Sequence, residues 1–342
     1  MSLIIDKRIS GFKVQAIIGN AIWASRGYRI YYSNDLDEDW NTLGKIPVNT
    51  FKLMLTKSRF MTSLSRSGIH QIIPFSQERV LIVCDHVFFI TDVNLSFFIK
   101  SNLNIRAFQL LDHNICVVNN KIYYGEYFPN ISRKSVNIYV SEDGINWGII
   151  YSLPERRIKH IHLLQYDPFI KRIWFATGDS DNECCIGHAD LDFCDIEILG
   201  RNNQDWRSLE LLFERDKVYW GTDNPQGTNW LISLDRETNE IKKLSAFGGP
   251  IYNLVKFNNY YIITTATEGG LGEWDHCAEI WFAKSLENAD WNKAISYKKD
   301  RWPYIFGFGR FKFNGILENK ILFTCFGLKD TYNGALVLKA VD

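Results

Sequence analysis

The chain has 342 residues, with 39 Lys plus Arg balanced by 39 Asp plus Glu. Zero net charge sets aside non-specific nucleic-acid binding, which shows a basic excess, and no apolar run reaches the ~20 residues of a membrane span. Aromatics make up 15% of the chain and Met only 3 residues, a balance that favours strands over helices.

In chain order, the opening MSLIIDKRISGF lacks the basic-then-apolar layout and cleavage site of a secretory signal, and Leu3 to Lys7 reads as a strand. FKVQAII, AIWASRG, RIYYSND and WNTLGKI then form a group of four short β-rich runs. HQIIPFS, RVLIVCDH, VFFITDV and LSFFIKS form the second group. The third is RAFQLLDH, NICVVNNKIYYGEY, NIYVSED and WGIIYSLP. Three more follow from His160, Trp206 and Pro250, and the last group, FGFGRFKFN, KILFTCFG and GALVLKAV, has only three runs. Group starts lie roughly 45 residues apart, the length of a propeller blade.

The pattern predicts an all-β, single-domain β-propeller over residues 1–342, with seven blades of four antiparallel strands. Leu3 to Lys7 supplies the missing strand of the last blade, which closes the ring and removes exposed strand edges. No long window shows helical periodicity. Gly-His and Trp-Asp pairs do not recur at blade period, against a WD-repeat scaffold.

The chain has seven cysteines, an odd number, and Cys84, Cys116 and Cys325 lie inside strand-like runs. That predicts buried free thiols and a cytoplasmic location. Cys184 and Cys185 are adjacent rather than spaced as a zinc pair, and the sequons at Asn94 and Asn130 carry no meaning in that compartment.

SEDGINW, Ser141 to Trp147, lies between the third and fourth runs of its group. Ser and Asp side chains there can bond the amides of a tight turn, Gly permits positive φ, and Trp packs between strands. The stretch resembles the Asp-box, or BNR, repeat of sialidase-like propellers, one residue short. Ser33 to Trp40 is a second copy with Asp37 in the glycine place, and Ser285 to Trp291 a degenerate third with Glu287 in the acidic place. In that family these boxes lie away from the active site, so the resemblance implies fold rather than chemistry. YYGEY, HIHLLQYDP, WFATGDSDNE, WRSLELLF, YWGTDNP and TEGG are similar to bacterial BNR-like proteins of polysaccharide gene neighbourhoods. The F-R-I-P segment of true sialidases is missing, since Tyr28-Arg29-Ile30 is followed by Tyr31, so no sialidase residues are carried over.

The start of a blade's first strand and the end of its second share one face. Second strands end in Cys84-Asp85, Gly125-Glu126, Gly178-Asp179, Thr222-Asp223 and Thr267-Glu268, a carboxylate in five consecutive groups. First strands begin at Arg106, Lys159-His160-Ile161-His162, Trp206-Arg207, Tyr252 and Trp302-Pro303-Tyr304. Acids, histidines, cations and aromatics thus converge on one mouth of the channel, a composition suited to a sugar.

Catalysis is expected from His160, His162, Glu126, Asp179, Asp223 and Glu268, as hydrolysis by two carboxylates or as elimination by a His or Tyr base. Tyr124, Arg106, Lys159, Arg207, Trp206, Trp302 and Tyr304 are the candidate binding residues. No organic cofactor is expected. A divalent metal on His160 and His162, whose alternate positions on a strand share a side, is a further option. The expected partner is an oligo- or polysaccharide, with no nucleic acid and no membrane. The alternative is a non-catalytic propeller that binds a glycan or a protein, with its carboxylates paired off by cations.

Overall fold

The computed structural model of the chain describes residues 2–36, 39–106, 110–287, 290–331 and 334–341. Seven four-stranded antiparallel sheets stand in a ring, each in simple up-and-down order, as the sequence spacing predicts. Their innermost strands are Lys13–Ile18, Ile69–Pro74, Ile115–Val118, His160–Asp167, Ser208–Phe213, Ile251–Phe257 and Arg310–Leu317. We number the blades 1 to 7 in that order.

Ring closure joins the two ends of the chain. Ser2–Ile9 pairs antiparallel with Ala335–Val341, Leu3 opposite Ala340 and Ile9 opposite Ala335. This outer strand runs beyond the expected Leu3 to Lys7 at both ends. The interior is apolar where blades meet: Leu163, Trp174 and Ile186 of blade 4 bury against Leu211, Trp220 and Ile232 of blade 5. All seven cysteines are free thiols, and Cys84, Cys116 and Cys325 are buried in strands.

Two short α-helices lie outside the sheets. Helix α1 (Thr50–Leu55) and helix α2 (Arg59–Ser65) link blades 1 and 2. Each is under two turns, too short for a 3.6-residue period to show in a sequence window. Asn49 caps α1 by accepting from the Lys52 amide at 3.0 Å. Among the described residues no helix is long and apolar enough to cross a membrane.

The turn Ser141 to Trp147 is held by side chains. Ser141 Oγ accepts from the Gly144 amide at 2.8 Å, and Asp143 Oδ1 accepts from the Ile145 and Asn146 amides at 2.7 Å each. Gly144 has φ +73° and leaves no room for a Cβ, which would fall 2.3 Å from Ile90 Cδ1. Trp147 is buried, with its indole donating to the Gly144 carbonyl at 3.0 Å. In the second copy Ser33 Oγ donates to the Asp35 carbonyl and Trp40 stacks on Phe12, while Asp37 lies outside the described residues. In the third, Trp291 packs edge-on against Phe247.

One backbone feature positions the site. In six blades the innermost strand shifts register against its neighbour. Such a bulge leaves a residue out of the ladder and re-aims its side chain. His70, His162 and Tyr252 occupy these unpaired places in blades 2, 4 and 6.

Candidate functional site at the channel mouth

The five carboxylates predicted at second-strand ends do sit there, and four share one arrangement. Asp85 meets Lys52 at 2.5 Å, Glu126 takes a two-pronged bond from Arg106, Asp179 meets Lys159 at 2.6 Å, and Asp223 meets Arg207 at 3.0 Å. In each case the cation comes from the segment that enters the same blade. Asp85 also accepts from the Tyr28 hydroxyl and the Gly68 amide, so it is fully engaged. The recurrence is therefore largely a repeated ion pair that ties the entry of a blade to its second strand.

Blades 4 and 6 depart from the pattern. In blade 6, Glu268 has no cation from its own blade entry and instead accepts from the Tyr252 hydroxyl at 2.7 Å. Burial and the nearby charge of Asp223 push its carboxyl up to about 8, against the opposing pull of Tyr252 and Arg207. Glu273 adds to the rise while capping the amides of Glu268, Gly269 and Gly270 with one oxygen.

In blade 4, Asp179 is joined by two buried histidines. His160 Nε2 and His162 Nε2 lie 3.1 Å apart, and Asp179 Oδ1 is 3.3 and 3.2 Å from them. His160 Nδ1 sits 3.2 Å from the Phe128 carbonyl, which only an N–H can satisfy, so the neutral ring has its lone pair on Nε2. Burial lowers the His160 pKa, against the pull of Asp179, and favours that neutral form. Burial raises Asp179, but the close imidazoles of His160 and His162 outweigh this and hold it far below the carboxylate range.

These three atoms fit a cation by geometry and by second shell. Donors ~2.0–2.1 Å from one ion in a tetrahedral set lie about 3.3 Å from each other. His162 Nδ1 is buried without a hydrogen bond, 3.8 Å from Asp223 Oδ2. If Nε2 of His162 holds a metal, the proton must move to Nδ1 and face Asp223, the usual carboxylate–histidine–metal arrangement. The Phe128 carbonyl is the outer partner of one ring, and Asp223 is the carboxylate that the other ring faces. Without an ion, one proton on His162 Nε2 must serve both Asp179 and His160.

Around this centre Arg207 Nη1 donates to the Asp179 carbonyl at 3.1 Å, and Lys159 holds the second oxygen of Asp179. Tyr127 lies over His160, ring centroids 4.1 Å apart. Burial and the charges of Asp179, Asp223 and Glu268 push its hydroxyl well above the ordinary tyrosine range. Tyr304 reaches Thr267 at 3.0 Å and its ring packs on Gly269, beside Glu268. The Trp302 carbonyl takes Lys299 nearby.

The structure thus brings His160, His162, Asp179, Lys159, Arg207 and Asp223 into contact. Glu126 and Arg106 are consumed by each other, with Arg106 also over the Phe128 ring at 3.8 Å. Tyr124 is 1% exposed, in the apolar layer of blades 2 and 3, and Trp206 packs on Trp220 at 5.5 Å inside the blade 4–5 core. Neither ring is available to stack on a sugar from these places, since each is packed among apolar side chains where two blades meet.

Tyr127, Glu273, Asp112, Arg310 and Lys312 escaped the sequence reading. Arg310 and Lys13 open the innermost strands of blades 7 and 1, one place past the strand-entry position of Lys159 and Arg207. Tyr127 directly follows Glu126, so the signal was present there too.

No family model matches the chain and no curated protein matches it. Solved structures do. An oligogalacturonate lyase from Vibrio parahaemolyticus superposes with a TM-score of 0.62 at 9% identity, covering 99% of this chain and 91% of that one. YCF48 bound to D1 peptide gives 0.58 at 10% identity, covering 100% and 97%. The extracellular domain of a one-component system from B. thetaiotaomicron gives 0.59 at 12%, covering 98% of this chain but 39% of that one. At such identities the likeness is one of fold: this is a seven-bladed β-propeller of a shape used for very different tasks.

Proposed function

We propose that the channel mouth cleaves an acidic polysaccharide by β-elimination, in a protein of the BNR-like superfamily. The observation that carries this is the pairing in one mouth of a metal-ready His160–His162–Asp179 centre with a carboxyl, Glu268, whose pKa is raised to about 8. A divalent cation there would supply charge opposite the substrate carboxylate, which acidifies the neighbouring C–H. Lys159 and Arg207 hold the centre's carboxylate and add positive field.

Glu268 is the base. A carboxylate with a pKa near the working pH takes a proton far better than one near 4. The C–H electrons form the new double bond, the C–O bond to the leaving sugar breaks, and its oxygen takes the proton of Tyr127. Burial, with the nearby charges of Asp179 and Asp223, keeps that hydroxyl protonated across the neutral range. The fold neighbour named an oligogalacturonate lyase is consistent with this reading and does not carry it.

A second reading, a glycan-binding propeller without turnover, is favoured by one observation: four of the five mouth carboxylates are already neutralised by cations. Acidic oligosaccharides assayed with Mn²⁺ or Zn²⁺ and with chelator separate the two. Unsaturated product, detected by its ultraviolet absorbance, is expected to form faster as pH rises through about 8. It should vanish with chelator, in Glu268→Gln and in His162→Ala. Saturated product and a rate that falls above that pH would make Glu268 an acid and the reaction hydrolysis. Thermal stabilisation by the glycan with no product would leave the second reading.

A further inference from the structure

Across the channel from the histidines, blades 7 and 1 present three cations to a single carboxylate. Arg310 and Lys312, alternate residues of the innermost strand of blade 7, reach Asp112 at 2.7 and 3.4 Å. Lys13, the first residue of the innermost strand of blade 1, has one long bond to the Ile69 carbonyl at 3.4 Å. Its ammonium lies 5.3 Å from the Phe326 ring centroid, and the Arg310 guanidinium is 4.7 Å from the same ring.

The charges do not balance. Lys13, Arg310 and Lys312 give three positive charges and Asp112 one negative. Among the described residues, the other groups facing them leave this excess in place. His70 is held neutral, its pKa pushed down to about 3 by burial and by Lys13, and its Nε2 is buried without a partner. His113, next to Asp112, is taken by Glu210 at 3.1 Å. Uncompensated buried ammonium groups are costly, and a protein ordinarily pairs them. Lys13 and Lys312 both have lowered pKa values, through burial and the neighbouring cations.

We infer that Lys13, Arg310 and Lys312 form a binding site for an oxyanion, a carboxylate or phosphate group carried by the ligand of the mouth. Arg310 lies 5.5 Å from the Tyr252 ring, whose hydroxyl holds Glu268, so the site is continuous with the mouth. The ligand class that fits is a glycan with negative groups on more than one of its units. The anion would take the unused ammonium donors of Lys13 and bridge to Lys312, leaving the Asp112 bonds in place. This goes beyond the cleavage reading and stands without turnover, because it concerns binding alone.

The test is calorimetric titration and thermal shift with inorganic phosphate, D-glucuronate and, as a neutral control, glucose. Wild type is compared with Lys13→Met and, as a surface control, with Lys121→Ala. Phosphate or glucuronate should stabilise wild type and the surface variant, and glucose should not. Binding by phosphate alone makes the group a phosphate, and binding by glucuronate makes it a sugar carboxylate.

Lys13→Met should weaken binding about tenfold or more, while melting no earlier than wild type in anion-free buffer. Because Lys13 is pushed down to about 8, wild-type affinity should fall above that pH, with no such fall in the variant. Anion stabilisation unchanged in Lys13→Met overturns the inference, as does wild type that responds to neither anion. Early melting of Lys13→Met without anion also overturns it, since the lysine would then be a structural strut.

Discussion

Replacing Glu268 by Gln isolates the cost of holding a carboxyl among other carboxylates. Its Oε1 acceptor for the Tyr252 hydroxyl survives in the amide, so the packing changes little. In the fold the carboxyl titrates at about 8 rather than at its ordinary 4.5. Between those values the unfolded chain has released the proton while the fold retains it. Stability therefore falls as pH rises through that window, and stays at the lower level above it. Some 3.5 pH units at ~1.36 kcal/mol each set a ceiling of about 5 kcal/mol. Partial water access and sharing of the effect with Asp223 reduce this to roughly 2–3 kcal/mol. With an unfolding entropy near 2.1 cal/mol/K per residue, that is about 3–4 °C for a chain of this length. Melting curves of wild type and Glu268→Gln from pH 5 to 9, without added metal, should nearly coincide at pH 5. They should separate by that amount at pH 9, the variant higher. A gap that is constant with pH, or a variant that melts lower at pH 9, would refute the account of Glu268 as a carboxyl strained by burial and by Asp223.

Arg207→Ala removes the cation between Asp223 and Asp179 and leaves both acids less compensated, which should cost about 3–5 kcal/mol, read as a lower melting temperature at neutral pH. Asp143→Ala deletes the acceptor for two turn amides and should cost ~1–2 kcal/mol at pH 7. Asp143 is held down at about 2 by the Asn146 and Ile145 amides, against burial, so its contribution is present above the ordinary 3.8 and fades as pH falls through that lower value; the melting difference from wild type should shrink there. Gly144→Ala should cost more than Asp143→Ala, since a Cβ meets Ile90 as well as a positive φ, and its loss should not change with pH. Zn²⁺ or Mn²⁺ should raise the melting temperature of wild type and not of His162→Ala, and a rise of equal size in both would remove the metal centre.

The architecture was legible because a propeller repeats itself. Four runs per group and a spare N-terminal run force a closed ring, and the pairing of Ser2–Ile9 with Ala335–Val341 follows from the last group having only three. The two helices before blade 2 were not legible, because six and seven residues hold less than two turns of any periodic signal. Strand-end register found the mouth and most of its titratable groups. It misjudged Tyr124 and Trp206, whose rings pack in the core between blades.

What the sequence hides is which member of a repeated set is unlike the rest. Read as letters, Asp85, Glu126, Asp179, Asp223 and Glu268 are equivalent, and their recurrence looks like a ring of free acids. In space each of the first four meets a lysine or arginine that enters the same blade, and this pairing explains how their like charges tolerate one mouth. The exceptions then separate by chemistry. Glu268 lacks the cation and keeps its proton; Asp179 has its cation and also two histidines, one of them turned into the channel by a bulge that no side-chain pattern announces. Four of the seven blades share this ion pair, and the unusual chemistry gathers where blade 4 adds two histidines to it and blade 6 lacks its cation.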